Sequence, residues 1–275
     1  MRVSIIISIY KDIQSLELIL DALALQSYKK FEAVVVEDGT DKNIKIFIEE
    51  AQLKYDFEIK HTVQEDEGVR KARSQNNGIL KAEGEYLIFI DGDCIPYSTF
   101  IEGHIALAKE NRALSGRRIN LDDNTSKKLR NREIKFIEVE QKLLTKYLYL
   151  AFDKEVRYKQ GIYVKPNGIL HKLLNIRTRT SSILGCNFSA WKKDMVKLNG
   201  FNEIDYGESA IPDDMDWTWR FKAVGIEIYS CKNSANIMHL WHKIHDRGDA
   251  TKYLEKMKMN IQNNKYICAG GLNLH

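Results

Sequence analysis

The apolar residues in the first third of the chain alternate between two spacings. Short apolar runs, which are typical of buried strands, occur at residues 3–9, 31–36 and 86–90, and residues 57–63 are a further strand candidate. The stretches between them favour helices, and they span residues 15–26, 42–55 and 67–82. Strands that alternate with helices of this length predict an α/β fold, in which right-handed βαβ units build a mostly parallel, Rossmann-like central sheet flanked by helices.

The pattern continues less regularly in the rest of the chain. It predicts a helix that ends near residue 109, a strand over residues 113–119 and an exposed charged loop over residues 122–132. Residues 132–152 have apolar positions at helical spacing. Residues 157–180 contain six basic side chains and no acidic one. Two interpretations of that segment stay open: a solvated loop, or contact with an anionic lipid surface or a phosphorylated acceptor.

Composition narrows the functional classes. A chain of 275 residues with 44% hydrophobic and 29% charged residues is ordinary for a globular enzyme, and a net charge of +4 gives no reason to expect nucleic acid. The four cysteines form no CxxC pair, which favours a reducing compartment. The first apolar run is followed by Lys11 and Asp12, so we interpret it as a strand and not as a signal peptide. We expect a cytoplasmic protein, or one peripheral at the inner face of the membrane.

The tripeptide Asp91-Gly92-Asp93 directly follows the apolar run at residues 86–90. Open α/β sheets bind ligands just beyond the carboxyl ends of their strands. Two carboxylates at that place suit Mg²⁺ or Mn²⁺, and such a cation holds nucleotide phosphates and neutralises a leaving group. Asp-Gly is also frequent in turns, so the tripeptide alone leaves a plain turn open.

Two further acidic groups fall at predicted element ends. Glu37 and Asp38 follow the second strand, where they suit a nucleotide base or ribose. The alternative is a cap for the next helix, a role that Asp41 or Thr40 could fill just as well. Three carboxylates, beside two tryptophans, begin a predicted helix at Asp213, Asp214 and Asp216. Acidic residues stabilise a helix amino end, but three exceed what capping needs, and one of them is a candidate general base.

Two histidines follow a late apolar segment, at His239 and His242. Their side chains point to different faces of a strand, so at most one would reach a shared site. Imidazole suits Mn²⁺ better than Ca²⁺.

These clusters occur in the order of the family 2 glycosyltransferases of the GT-A fold, and the chain resembles that family over residues 1–115 and 180–245. The matching segments are VSIIISIYKD, VVVEDGTDKN, GVRKARSQNNGILKAEGEYLIFIDGDCIP, LGCNFSAWKKDMVKLNGFNE, IPDDMDWTWRFKAVG and MHLWH. The last resembles the distal histidine motif of the galactosyltransferase-like members. The resemblance implies an inverting transfer from a nucleotide-sugar donor.

Carried over position by position, the resemblance implies a role for each site residue. Asp214 would be the catalytic base, and Asp93 and His239 would bind Mn²⁺ or Mg²⁺. The residues that would bind the nucleotide sugar are Tyr10, Glu37, Asp38, Arg73, Asp91, Gly92, Asn187 and Asp213. Within that set Asp38 would contact the base and Asn187 the donor sugar. Asp213 stands where a glutamate is usual, which leaves the base open among the three carboxylates at residues 213–216, and His242 fits the distal motif as loosely as His239 does.

The implied activity is transfer of a hexosyl or N-acetylhexosaminyl group from a UDP-sugar to a glycan or lipid-linked acceptor, in cell-surface polysaccharide or lipopolysaccharide biosynthesis. Residues 1–115 would bind the donor and residues 116–245 the acceptor, with a basic variable segment at 122–180 and a helical tail at 246–275. The alternatives are a non-catalytic nucleotide-sugar or glycan-binding module, which does not need a base, and a nucleotidyltransferase. The latter usually has a glycine- and lysine-rich phosphate loop, which residues 9–12 lack.

Overall fold

The computed structural model describes residues 1–145, 161–177, 182–206, 213–243 and 249–275. Within these ranges the strands are β1 Val3–Ile9, β2 Phe31–Glu37, β3 Glu58–Thr62, β4 Tyr86–Asp91, β5 Cys94–Pro96, β6 Arg112–Ser115, β7 Arg117–Asn120, β8 Asn187–Trp191, β9 Glu227–Ser230 and β10 Asn236–His239. The helices are α1 Ile13–Ala24, α2 Lys42–Lys54, α3 Lys71–Lys81, α4 Phe100–Leu107, α5 Asp123–Arg130, α6 Phe136–Thr145, α7 Ile169–Arg177, α8 Lys192–Lys197, α9 Glu203–Tyr206, α10 Asp213–Ala223 and α11 Thr251–Gln262. A 3₁₀ turn at Leu272–Leu274 follows.

The central sheet has the strand order β3-β2-β1-β4-β8-β6-β9. Its first four strands are parallel, β8 is antiparallel to both β4 and β6, and β9 is parallel to β6. A second sheet has the order β5-β10-β7. The predicted mostly parallel central sheet is therefore confirmed, and the second, smaller sheet is an addition that the apolar pattern did not predict.

The sheet is buried on both faces because helices cover both. Ile5 and Ile7 of β1 pack into a core with α1 and α2, whereas Ile6 packs into a second core with α3. This alternation explains why β1, β2 and β4 are continuous apolar runs. Gly78 lets α3 approach the sheet closely, since a Cβ there would lie 2.6 Å from a methyl group of Val36.

Two predicted elements differ in the structure. The strand expected at residues 113–119 is divided at Gly116 into β6 and β7, which belong to different sheets. A Cβ at Gly116 would lie 2.2 Å from the side chain of Asn187, so the chain crosses between the sheets at a residue without one. The prediction of a loop at residues 122–132 is wrong, because this segment contains helix α5. Leu129 is one of the few buried residues of that helix.

Other predictions agree in kind and differ in extent. Helix α3 begins at Lys71, four residues later than expected. Helix α6 begins at Phe136, also four residues later than the start of the helix predicted at residues 132–152. The basic segment at residues 157–180 lies partly outside the described residues. Its described part includes α7, and no helix in the described ranges is long and apolar enough to cross a bilayer.

Candidate active site

Register brings the polar residues that follow β1, β2 and β4 to one edge of the sheet. Ile9 pairs with Glu37, and Ser8 pairs with Asp91. The Asp38 backbone N–H donates to the Ile9 carbonyl at 3.0 Å. The carboxyl ends of these parallel strands are therefore level, and the predicted acidic positions meet at the edge where such sheets bind ligands.

The tripeptide at residues 91–93 joins the two sheets. Asp91 ends β4, and β5 begins directly after Asp93. A Cβ on Gly92 would lie 2.7 Å from the Ser8 carbonyl oxygen, so a glycine is needed where the chain leaves the central sheet against β1. The antiparallel pairing of β5 with β10 then sets Cys94 opposite His239, which places the histidine beside Asp93.

Both candidate histidines contact the same carboxylate. Nε2 of His239 lies 3.2 Å from Asp93 Oδ2, and Nε2 of His242 lies 3.1 Å from the same oxygen. The expectation that only one could reach the site is wrong because β10 ends at His239, so strand alternation does not extend to His242. Burial opposes ionisation of Asp93, but the two imidazoles hold the pKa of its carboxyl far below the ordinary value.

The residues around Asp93 fit a divalent cation. Asp93, Cys94 and His239 each offer a ligand atom, and these atoms lie within 4.8 Å of one another. The buried thiol of Cys94 donates to Asp93 Oδ1 at 3.2 Å and so orients that carboxylate. Carboxylate oxygen with imidazole nitrogen is a donor set that suits Mn²⁺.

A second acidic cluster has a different character. Glu32, Glu58 and Glu83 also bring ligand atoms within 4.8 Å of one another. Lys60 Nζ lies 2.7 Å from both Glu32 and Glu83, and Arg2 lies 2.6 Å from Glu58. Each of the three carboxylates is thus already paired with one of two cations, so the cluster is an ion-pair network and a poorer cation site than the one at Asp93.

A lysine that sequence analysis did not single out lies among the acidic residues. Lys71 Nζ is 2.6 Å from Asp91 Oδ1. Burial disfavours its charge, but the surrounding carboxylates, Asp91 and Asp213 first among them, raise the pKa of Lys71 above its ordinary value. Arg73, the predicted nucleotide contact, is exposed two residues later on α3, where helical geometry turns it about 200° away from Lys71.

Asp214 is held by a segment outside its own helix. The Gly185 backbone N–H donates to Asp214 Oδ1 at 2.7 Å, and a Cβ on Gly185 would lie 2.3 Å from that oxygen. Burial raises the pKa of Asp214 against the opposing charge of Lys71. Burial also raises the pKa of Asp213 to about 7; Lys71 opposes this shift and Asp214 adds to it. Both carboxyl groups are therefore more basic than an ordinary aspartate, as a general base requires.

Asp216 has a structural role. It is 2% exposed, and its Oδ2 accepts from Arg220 Nη1 at 2.9 Å. Its Oδ1 accepts from the Tyr206 hydroxyl and the Trp219 indole, each at 3.0 Å. The buried Arg220 in turn donates to the Gly200 carbonyl at 2.9 Å. Both carboxylate oxygens of Asp216 thus serve a buried network that ties α10 to the chain after α8.

Replacing Arg220 by methionine should lower the free energy of unfolding by about 3–5 kcal/mol, because it leaves the buried Asp216 carboxylate without its cation. Urea unfolding followed by circular dichroism measures this. Lys222→Met, on an exposed position of the same helix, is the matched control and should change the free energy of unfolding by less than about 0.5 kcal/mol. Equal stability of the two variants would contradict the structural role of the pair.

The predicted nucleotide-binding residues that follow β1 and β2 differ in exposure and in hydrogen bonding. Tyr10 is 54% exposed beyond β1. Asp38 Oδ1 accepts from Gln64 at 2.6 Å, and its Oδ2 accepts from the Arg70 backbone N–H at 2.8 Å. Glu37 is buried, with Oε2 3.0 Å from His61. Asp41, and not the Glu37–Asp38 pair, caps α2.

Asn187 is fully buried and partnered within the protein. Its amide donates to the carbonyls of Arg117 and Ala235, each at 2.9 Å, and its Oδ1 lies 3.1 Å from His104 Nε2. These bonds support the crossing at Gly116. The predicted contact of Asn187 with a donor sugar stays a prediction, and it requires these bonds to open.

Comparison with known proteins identifies a glycosyltransferase family. A family model described as glycosyl transferase family 2 matches residues 4–171. Glycosyltransferase AglE of Haloferax volcanii is 33% identical over 103 residues, which are 36% of this chain and 33% of that protein. The cholesterol galactosyltransferase of Borreliella burgdorferi is 31% identical over 101 residues, or 37% and 27% of the two chains. The match thus spans about a third or less of the length of these relatives.

Solved structures share the fold at low sequence identity. S. aureus TarS 1–349 in complex with UDP-GlcNAc is 18% identical with a TM-score of 0.60, over 94% of this chain and 65% of that one. The mannosyltransferase PcManGT from Pyrobaculum calidifontis, in complex with GDP-Man and Mn²⁺, is 15% identical with a TM-score of 0.58, over 95% and 64%. The predicted GT-A fold is confirmed by this likeness.

Proposed function

Because the chain belongs to glycosyl transferase family 2, we propose that it moves a sugar from a UDP-sugar to an acceptor hydroxyl by a single displacement that inverts the anomeric carbon. The observation that carries this proposal is the pairing of two acidic sites with different chemistry. One is the Asp93–His239–His242 cluster, and the other is Asp214 at the start of α10. The complexes of TarS with UDP-GlcNAc and of GalNAc-T7 with UDP, GalNAc and Mn²⁺ support a UDP-sugar and a cation.

The Asp93 cluster would serve the leaving group. Asp93 and His239, with His242 beside them, are the residues that would hold Mn²⁺ or Mg²⁺. Such a cation supplies charge neutralisation for a departing diphosphate. The hydrogen bond from Cys94 and the turn at Gly92 fix the Asp93 carboxylate in place before a donor arrives.

The edge formed by β1 and β2 would bind the nucleotide. Each oxygen of the Asp38 carboxylate has a second lone pair, so Asp38 can accept a hydrogen bond from a base N–H while it keeps Gln64 and Arg70. The exposed ring of Tyr10 offers an aromatic face for the base.

Asp214 would take the proton from the acceptor. Gly185 occupies Oδ1, which directs the Oδ2 oxygen to the hydroxyl. As the acceptor oxygen bonds to the anomeric carbon, the bond from that carbon to the diphosphate breaks and the hydroxyl proton passes to Asp214. We propose a glycan or lipid-linked saccharide as acceptor, in the synthesis of cell-surface polysaccharide or lipopolysaccharide.

Lys71 sets the pH above which this base is deprotonated. Replacing Lys71 by methionine removes the positive charge that lowers the pKa of Asp213 and Asp214. Because the base acts when deprotonated, the acidic limb of the kcat/KM profile should move to higher pH by about one unit. Lys81→Met, on an exposed position of the same helix, is the control and should leave the limb in place. An unchanged limb in the Lys71 variant would contradict this electrostatic role.

The proposal is tested by the release of nucleotide. The protein is incubated with Mn²⁺ and a panel of UDP- and GDP-sugars, with and without saccharide acceptors, and the free nucleoside diphosphate is measured. We expect UDP release from at least one UDP-sugar, accelerated by an acceptor. UDP binding without release from any donor would instead support a non-catalytic binding module, and preference for a GDP-sugar would correct the donor class.

A further inference from the structure

Helix α7 has an exposed apolar face. Ile169 is 81% exposed, and Leu170 and Leu173 are each 57% exposed. At 3.6 residues per turn, these three side chains lie within about 100° of one another. His171, on nearly the opposite side, is buried. Single exposed aliphatic residues are ordinary on a protein surface, but three on one helix face mark a surface for an apolar partner.

The chain before α7 is hydrogen-bonded to other parts of the fold. The Val164 backbone N–H donates to the Asn233 carbonyl at 2.7 Å, and the Ser234 hydroxyl donates to the Val164 carbonyl at 2.9 Å. The Asn167 amide donates to the Ala106 carbonyl, at the end of α4, at 2.8 Å. The helix therefore starts from a base that is bonded to two other parts of the fold.

Basic residues lie close in sequence to the apolar face. Lys165 and Lys172 are exposed in the described part of this segment, and residues 157–180 contain six basic residues and no acidic one. Aliphatic side chains beside cations are the pattern by which a helix lies on an anionic bilayer, with its apolar face below the headgroups and its lysines among the phosphates. A second copy of the chain fits less well, because a two-fold contact would set these cations against each other.

We propose that the α7 face, defined as Ile169, Leu170 and Leu173 with Lys165 and Lys172, docks on the surface of a membrane that contains anionic lipids. This property goes beyond sugar transfer, and it requires neither donor nor acceptor. It would hold the protein at the interface where a lipid-linked hydroxyl is displayed. Binding to vesicles therefore tests it separately from catalysis.

The experiment is cosedimentation of the full chain with vesicles of phosphatidylcholine alone or mixed with phosphatidylglycerol. We expect binding to the mixed vesicles that weakens with added salt, and much weaker binding to phosphatidylcholine alone. The double variant Ile169→Ser with Leu173→Ser should lose at least about tenfold in vesicle affinity, because two aliphatic side chains no longer enter the interface. Lys172→Glu should lose about fivefold or more.

Matched controls separate docking from general surface effects. Leu53→Ser removes an aliphatic side chain that is 91% exposed on α2, and Lys45→Glu makes the same charge change on that helix. Both should bind vesicles as the unmodified chain does, and thermal melting should show that all variants fold. No binding to mixed vesicles, or unchanged binding by the double variant, would overturn the proposal. So would a dimer in sedimentation velocity that the double variant abolishes without any vesicle binding.

Discussion

Replacing Asp93 by alanine is expected to lower the rate of sugar transfer by at least about a hundredfold, because the carboxylate at the centre of the cation site is lost. Asp93 is the residue on which both His239 and His242 converge, at 3.2 and 3.1 Å. Without it, the two imidazoles lose the carboxylate that both of them contact. The affinity for Mn²⁺, measured by electron paramagnetic resonance in the absence of donor, should fall together with the rate.

The control for this variant is Asp56→Ala, which removes an exposed carboxylate far along the chain from the site. It should retain both Mn²⁺ affinity and activity. An Asp93→Ala protein that keeps its Mn²⁺ affinity would show that the cation is held elsewhere. One that keeps its full rate would refute the role given to the cluster.

Replacing Asp214 by asparagine is expected to lower kcat by about 10²–10⁴-fold, which is the usual contribution of a general base. Asparagine keeps the volume of the side chain and an oxygen that can accept from Gly185, so the local structure should survive. The change isolates the proton-accepting function. Dissociation constants for UDP should stay within about twofold, since the base binds the proton of the acceptor and not the nucleotide.

Asp213→Asn is the informative comparison, because burial raises the pKa of Asp213 to about 7 and makes it the rival base. If Asp214 is the base, Asp214→Asn loses far more kcat than Asp213→Asn, and it also loses the acidic limb of the pH profile. Full activity in Asp214→Asn would exclude it as the base. A larger loss in Asp213→Asn would transfer the assignment to that residue.

The apolar pattern predicted the first third of the fold well. Strands β1, β2 and β4 are buried on both faces, so their composition alone marks them, and parallel pairing then brings Asp38 and Asp91 to one edge. Helix α5 was not predicted because Leu129 is its single apolar residue, so the segment has no apolar periodicity. The break at Gly116 escaped notice because its cause is Asn187, which is distant in the sequence.

The parts of the site that could not be predicted depend on contacts between distant residues. Lys71 is part of the site because it lies beside Asp91 and Asp213, and Gly185 matters because its N–H donates to Asp214. No local spacing signals either pair. The sequence does carry a signal for choosing among the carboxylates of α10. Positions two apart on a helix lie about 200° apart, so Asp214 and Asp216 face different surroundings.

Asp93 and His239 are proposed to hold the cation beside a bound nucleotide. Anomalous diffraction at the manganese absorption edge, from crystals grown with UDP and Mn²⁺, would locate that ion. We expect one strong peak in contact with Asp93 and His239, with the UDP diphosphate beside it and Asp214 outside the ion's ligands. A peak at the Glu32, Glu58 and Glu83 cluster alone, or UDP bound with no ion at Asp93, would contradict it.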